Sequence, residues 1–225
     1  MGQPLLLNGI EWLLFDAVGT LIYPDPPVAE VYHAAGQRFG SRLSMDEIRR
    51  RFHAALTNNQ TCGEPTNEAK ERDRWRRIVR SVLDDVDEGC EELFESLWQH
   101  FAQPQYWRTF DDVAVLAELR TRGYRIGIAS NFDDRLIRIA AVHPPLAICE
   151  AIFVSSNVGF TKPDQRFFRA IENQLGVEPR KIALVGDDEI SDVQGATEAG
   201  WRAVRLDRSG LISSPATIHS LAELL

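Results

Sequence analysis

Short apolar runs, each four or five residues long and closed by polar or turn residues, recur along this chain with helical stretches between them. The alternation is broken only once. The runs lie at 11–15, 125–129, 151–154, 181–185 and 202–206. Continuous apolar runs of this length, bounded by turn residues, read as strands buried on both faces. Between them, apolar residues at helical spacing predict helices over 112–122, 133–141, 165–175 and 190–199. Gly123, Gly176 and Gly200 follow three of these as stop signals. Strands alternating with helices predict an α/β fold, a doubly wound, Rossmann-like parallel sheet with helices on both faces. In such sheets the chemistry sits at the carboxyl ends of the strands.

The break spans residues 23–105. After Pro24-Asp25-Pro26-Pro27 come four helical segments, near 28–39, 45–58, 67–83 and 89–101. Ser44 with Glu47 makes a capping box for the second. In the third, Trp75, Ile78, Val79 and Val82 share one face. The simplest organisation is a core domain of residues 1–22 and 106–225, with a helical-bundle domain of residues 23–105 hung between the first and second strands. The return linker falls near 103–109. Charge in the insertion is uneven: ten bases against six acids over 42–80, then seven acids and no base over 81–98. The basic stretch could attract an anionic substrate, or its arginines could be solvated faces in ion pairs.

Composition removes other classes. With 33 acids against 25 bases the chain carries a net charge of −8, which argues against a nucleic-acid partner. No apolar run approaches the ~20 residues that span a bilayer, so no membrane partner is expected. The opening MGQPLLLNGIEW has no basic leader, and Leu6 stands where myristoylation wants Ser or Thr. Cys62, Cys90 and Cys149 are odd in number and widely spaced, fitting neither a disulfide framework nor a zinc site, so a reducing cytoplasm is expected. The five histidines show no metal-ligand spacing. Only Lys70, Lys162 and Lys181 are lysines among the 25 bases, which makes each worth inspecting.

Polar residues collect in four segments at predicted strand ends. Phe15-Asp16-Ala17-Val18-Gly19-Thr20-Leu21 projects a carboxylate into a Gly-Thr turn, where Asp16 can be a nucleophile or metal ligand. There Gly19 lets the backbone approach an oxyanion, and Thr20 adds a hydroxyl. Ala129-Ser130-Asn131 places a hydroxyl and an amide directly after a strand. Thr161-Lys162-Pro163-Asp164 holds a lone lysine in a loop before a helix. Val185-Gly186-Asp187-Asp188-Glu189-Ile190-Ser191-Asp192 supplies acids that suit Mg2+, which takes a few carboxylates plus water and substrate oxygens. Singly, each has a plainer reading: Asp16 as a turn cap, Ser130 and Asn131 as helix caps, the acids serving a helix dipole, and Lys162 a solvated loop residue. Their order and placement together argue for a site.

FDAVGTL, ASN, TKPD and VGDDEISD, running on into DVQGATEAGW, resemble the four motifs of the haloacid dehalogenase-like (HAD) hydrolase superfamily, over roughly residues 10–22 and 106–206. The insertion also matches that family's helical cap, placed between the first two motifs. The resemblance implies an Mg2+-dependent hydrolase, most members being phosphatases that pass through an aspartyl-phosphate. It assigns Asp16 as nucleophile, with Thr20, Ser130 and Lys162 on the transferring phosphoryl oxygens. Gly19 and Asn131 would line the substrate site. Asp16, the Val18 backbone carbonyl, Asp187 and Asp192 would hold the metal. Arg51, beside the Ile48/Phe52 stripe, and Trp75 are candidates to read a small anionic substrate, although Trp75 also fits the bundle's core.

One departure stands out. Phosphatases of this family usually carry a second aspartate two residues after the nucleophile, and here that position is Val18. Losing a positioned acid or base costs ~10²–10⁴-fold, so a phosphate with a good leaving group is the expected substrate unless a bundle residue or Asp188 replaces the acid. Dehalogenation of 2-haloacids needs no such acid, but it would set a carboxylate substrate against an acid-rich fourth segment. Phosphonatase chemistry needs an imine-forming lysine, and Lys70 is the insertion's only one, in a charged helix start. A binding or scaffold protein of this fold is the non-enzyme alternative. Neither the substrate nor the oligomeric state is legible.

Overall fold

The computed structural model describes residues 7–59, 63–212 and 214–225. Cys62 and residues 1–6 of the expected core domain lie outside the described residues. Six parallel strands form one sheet in the order β5–β4–β1–β6–β7–β8: β1 (Trp12–Phe15), β4 (Arg125–Ser130), β5 (Ala151–Val154), β6 (Ile182–Gly186), β7 (Arg202–Leu206) and β8 (Thr217–Ile218). β1 is central, pairing Trp12 with Arg125 on one side and with Ile182 on the other. The chain winds outward from β1 in both directions, which makes the strand ends beside it the crevice where such sheets bind ligands.

All four β1 residues are buried and divide by parity, as the two-residue period of a strand demands. Leu13 and Phe15 join one apolar cluster with Ile126, Ile128, Val185 and Leu116. Trp12 and Leu14 join another with Phe167, Phe168, Ile171 and Trp201. Helices therefore cover both faces of the sheet: α5 (Val115–Thr121), α6 (Arg135–Val142), α7 (Ser155–Val158), α8 (Gln165–Leu175) and α9 (Gly195–Glu198). Gly123, Gly176 and Gly200 all take positive φ after helices.

Between β2 (Ile22–Pro24) and β3 (Trp107–Thr109) stand four helices: α1 (Val28–Arg38), α2 (Met45–Asn58), α3 (Glu68–Val82) and α4 (Cys90–His100). They pack around a core of their own that includes Tyr32, Ile48, Ile78, Val79, Val82, Leu93, Phe94 and Leu97. The Ser44–Glu47 capping box forms on α2. The segment expected as a return linker is partly a strand, β3, which pairs antiparallel with β2 so that Ile22 faces Thr109 and Pro24 faces Trp107. Two three-residue strands carry no periodicity long enough to read, and only their meeting in space makes them a ribbon.

Two core helices depart from the uniform α-helices expected. The stretch over 112–122 begins with a 3₁₀ turn, Asp111–Ala114, before α5. The stretch over 190–199 opens as a π-helical segment, Glu189–Gln194, and only then becomes α9. There the Val193 N–H reaches back five residues to the Asp188 carbonyl at 3.3 Å. This wider winding accompanies an inward-facing Asp192, which is buried against the strand ends. Among the described residues no helix is long and apolar enough to cross a membrane.

Candidate active site

Asp16 directly follows β1, with its backbone N–H held by the Val185 carbonyl at 2.9 Å. Lys162 approaches from the loop before α8. Its ammonium donates to Asp16 Oδ1 at 2.7 Å, Asp192 Oδ1 at 2.6 Å and the Ala129 carbonyl at 2.8 Å. Three partners use all three N–H donors of a side chain that is almost wholly buried. Burial alone would lower the lysine's pKa, but the charges and hydrogen bonds of Asp16 and Asp192 outweigh it, so the pKa is raised and the ammonium stays charged.

Asp187 and Asp192 complete the acid group, whose ligand oxygens, one each from Asp16, Asp187 and Asp192, lie within 4.8 Å of one another. Desolvation, then the neighbouring Asp16 charge, push the Asp187 carboxyl up to about 6. Burial likewise raises Asp192, with Lys162 opposing it. Asp192 Oδ2 accepts the Asp188 N–H at 3.1 Å. Three carboxylates against one ammonium leave a formal excess of two negative charges, and the donors are hard oxygens. The residues present therefore fit a divalent cation such as Mg2+.

Glycine is required twice around these acids. Gly19 takes φ 89°, and a Cβ there would stand 2.5 Å from Asp187 Oδ2. A Cβ on Gly186 would fall on the Asp192 carboxylate. Thr20 is fully buried and its Oγ1 donates to Asp187 Oδ1 at 3.3 Å. Ser130 is buried at the end of β4.

Asn131 is beside the site but already employed: its Oδ1 accepts the Lys162 N–H at 2.7 Å and its Nδ2 donates to the Lys162 carbonyl at 2.9 Å. It fixes the lysine loop while also bordering both neighbouring cavities. Asp188 lies outside the close acid group, and its Oδ1 accepts from the Ile190 and Ser191 N–H groups as a helix cap.

The expectation for Arg51 is corrected. Its guanidinium pairs with Asp84, and it lines neither cavity at the strand ends. Phe52 and Leu56, four residues apart, face the first cavity; His53 and Thr57 face the second. Arg51 is one helical step of 100° off that stripe. The basic stretch over 42–80 is likewise matched from within the bundle, Arg76 pairing with Glu91 at 2.9 Å and Arg72 with Glu95. Trp75 packs against the bundle core and also lines the first cavity. Lys70 is exposed and donates to the Pro65 carbonyl at 2.8 Å.

Some structural participants had no motif to announce them. Arg208, in the loop after β7, donates to the Thr20 carbonyl at 2.7 Å and the Gly19 carbonyl at 3.3 Å, and is anchored by Asp112 at 2.9 and 3.0 Å. Arg135 makes a bidentate pair with buried Asp133, both bonds 2.7 Å, and stacks 3.5 Å above Trp98 of α4.

A family model for haloacid dehalogenase-like hydrolases matches residues 10–200. This chain belongs to that family. It is a hydrolase by that membership and by its relatives. A Mycobacterium tuberculosis phosphatase is 30% identical over 207 residues, covering 89% of each chain. The crystal structure of an HAD phosphatase from Thermococcus onnurineus superposes with TM-score 0.68 at 26% identity, over 96% of each chain. An L-2-haloacid dehalogenase from Xanthobacter autotrophicus, with chloropropionic acid covalently bound, superposes with TM-score 0.71 at 20% identity over 96% of each chain. At that identity the second likeness concerns the fold alone.

Proposed function

We propose that this HAD hydrolase is an Mg2+-dependent phosphatase that works through an aspartyl-phosphate on Asp16. Its substrate is a small phosphorylated metabolite with a good leaving group. The observation that carries the reading is the contact of one buried ammonium with two acids, Lys162 with Asp16 and Asp192, with Asp187 in the same group. Asp16 is the nucleophile. Lys162 pairs with it and supplies positive charge beside the phosphoryl oxygens, which the Thr20 and Ser130 hydroxyls bind with it. Asp16, Asp187, Asp192 and the Val18 carbonyl would hold the metal, which supplies neutralisation of the phosphoryl charge when bound. The helical bundle acts as a cap over the strand ends and controls access.

Position 18 offers no proton to a leaving group, and Asp188 is committed to a helix cap. The reading therefore expects acetyl phosphate to be hydrolysed in Mg2+ and a sugar phosphate to be at least ~10²-fold slower, the usual cost of a missing acid. Steady-state phosphate release with and without chelator tests both halves. Equal, rapid turnover of the two substrates would remove the leaving-group argument, and no turnover of either would remove the phosphatase reading. Val18 also suits 2-haloacid chemistry, in which halide needs no proton. Chloride release from 2-chloropropionate, indifferent to chelator, would put that reading first.

A further inference from the structure

A cavity of about 270 Å³ opens beside the proposed nucleophile, between the strand ends and the helical bundle. Val18 and Asn131, from the segments that carry Asp16 and Ser130, are among its lining. Tyr32 and Phe52 from the bundle and Trp107 and Phe132 from the core form its aromatic walls. We propose that this cavity takes the leaving group of the substrate and that the leaving group is aromatic, so that the natural substrate is a phosphate monoester of a phenolic hydroxyl. This proposal rests on the phosphatase reading and specifies its substrate class.

Three observations converge. The first is size: a dry cavity of about 150 Å³ accepts benzene, so 270 Å³ suits one ring or two fused rings. The second is polarity. Two arginines reach the cavity: Arg135 has its guanidinium bound to Asp133 and stacked on Trp98, and Arg74 donates to the Asn59 carbonyl at 2.7 Å and pairs with Glu71 at 3.5 Å. Burial raises the Tyr32 pKa and keeps its phenol neutral. Each hydroxyl of a sugar left unpaired there would carry the desolvation cost of a buried polar group, whereas an aryl ring gains from packing against the walls. The third is chemical. Val18 is 38% exposed and belongs to the same wall, so the residue that withholds a proton also completes the apolar surface. A phenol ionises near 10, about six units below the ~15.7 of water, which an alkyl alcohol resembles. A phenolate can depart without an acid where an alkoxide cannot.

The reaction balances. A carboxylate oxygen of Asp16 bonds to phosphorus as the P–O(aryl) bond breaks, and the phenolate leaves with the bonding pair. Water then attacks phosphorus, releasing phosphate and regenerating Asp16. The proton that water loses ends on phosphate or phenolate in solution.

The test has two arms. In turnover with Mg2+, kcat/KM for 1-naphthyl phosphate should exceed that for n-butyl phosphate by more than 100-fold, and Val18→Asp should narrow that gap by raising the butyl ester selectively. In binding, 1-naphthol should quench the tryptophan fluorescence of the unmodified protein. Phe52→Ala should weaken that binding and lower the naphthyl-to-acetyl phosphate kcat/KM ratio about tenfold. Acetyl phosphate hydrolysis without naphthyl preference, or without naphthol binding, overturns the aryl proposal and leaves the phosphatase reading standing. Failure to hydrolyse acetyl phosphate at all overturns both.

Discussion

Lys162 illustrates how closely a buried charge is specified. Its ammonium has three hydrogens and three acceptors at 2.6–2.8 Å in a space closed to solvent. An arginine would keep the charge but bring a larger planar fork that cannot meet the same three atoms. Lys162→Arg should therefore lose at least ~10²-fold in phosphate release, the scale of a displaced catalytic group. Turnover like the parent's would show that Lys162 is not at the reacting centre. Gly19→Ala tests a different constraint, since its φ of 89° and its 2.5 Å approach to Asp187 both exclude a Cβ. The left-handed backbone alone costs about 1–2 kcal/mol, and Asp187 must also move. Lower thermal stability together with weaker Mg2+ binding by calorimetry is the expected pair of results. The acids, Gly19 and Lys162 were legible in the sequence because each follows a strand at short range. Arg51 was misassigned because proximity to an apolar stripe does not say which way a long side chain turns.

Among the elements, the loop after β7 matters more than its sequence suggests. Arg208 stacks 3.8 Å over Phe110, grips the carbonyls of Gly19 and Thr20, and is held by Asp112, which also accepts from Ser220 Oγ at 2.9 Å and the Leu221 N–H at 2.8 Å. One carboxylate thus ties the 3₁₀ turn before α5 and the C-terminal segment to the turn after Asp16. Burial would raise the Asp112 pKa, but the Arg208, Leu221 and Ser220 hydrogen bonds outweigh it and hold it below the ordinary value. A carboxyl depressed in the folded state stabilises above its unfolded pKa of about 3.9, and that contribution is lost as pH falls toward and through the folded value. Asp112→Asn should lower the melting temperature at pH 7, by about 1–3 kcal/mol in stability terms. The difference from the parent should shrink as pH falls below about 4. A constant difference from pH 7 to 3 would count against an ionised Asp112 as the cause.

At the scale of the whole molecule, the bundle meets the sheet domain through the Arg135–Trp98 stack and, among the described residues, through hydrogen bonds in two regions. One is the β2–β3 ribbon. The other lies around the start of α3, where the Thr66 N–H donates to the Gly159 carbonyl at 2.8 Å, Glu68 accepts the Asp134 N–H at 2.9 Å, and Arg166 donates to the Gly63 carbonyl at 2.8 Å. Glu68→Ala removes one of these ties from a half-buried position. It should cost little global stability, about 0.5–1.5 kcal/mol, while increasing proteolytic cleavage near residues 63–67. Unchanged cleavage would mean that the contact does not hold the bundle closed. Mg2+ should raise the melting temperature with concentration, as any ligand of the native state does. Asp187→Asn should shrink that shift by removing one carboxylate from the group.

The sequence by itself determined the strand–helix alternation, the four helical segments after the first strand, and the polar segments at the strand ends. These are local properties, set by periodicity, caps and turn residues within a dozen positions. Tertiary structure alone decided that β2 meets β3, that Asp192 turns inward from a π-helical segment, that Asn131 clasps the lysine loop and that Arg208 braces the turn after Asp16. It also brought Tyr32, Phe52, Trp107 and Phe132 together around one cavity. Such groupings depend on the packing of segments up to 189 residues apart in the chain, where no local pattern records which side chains will share a wall.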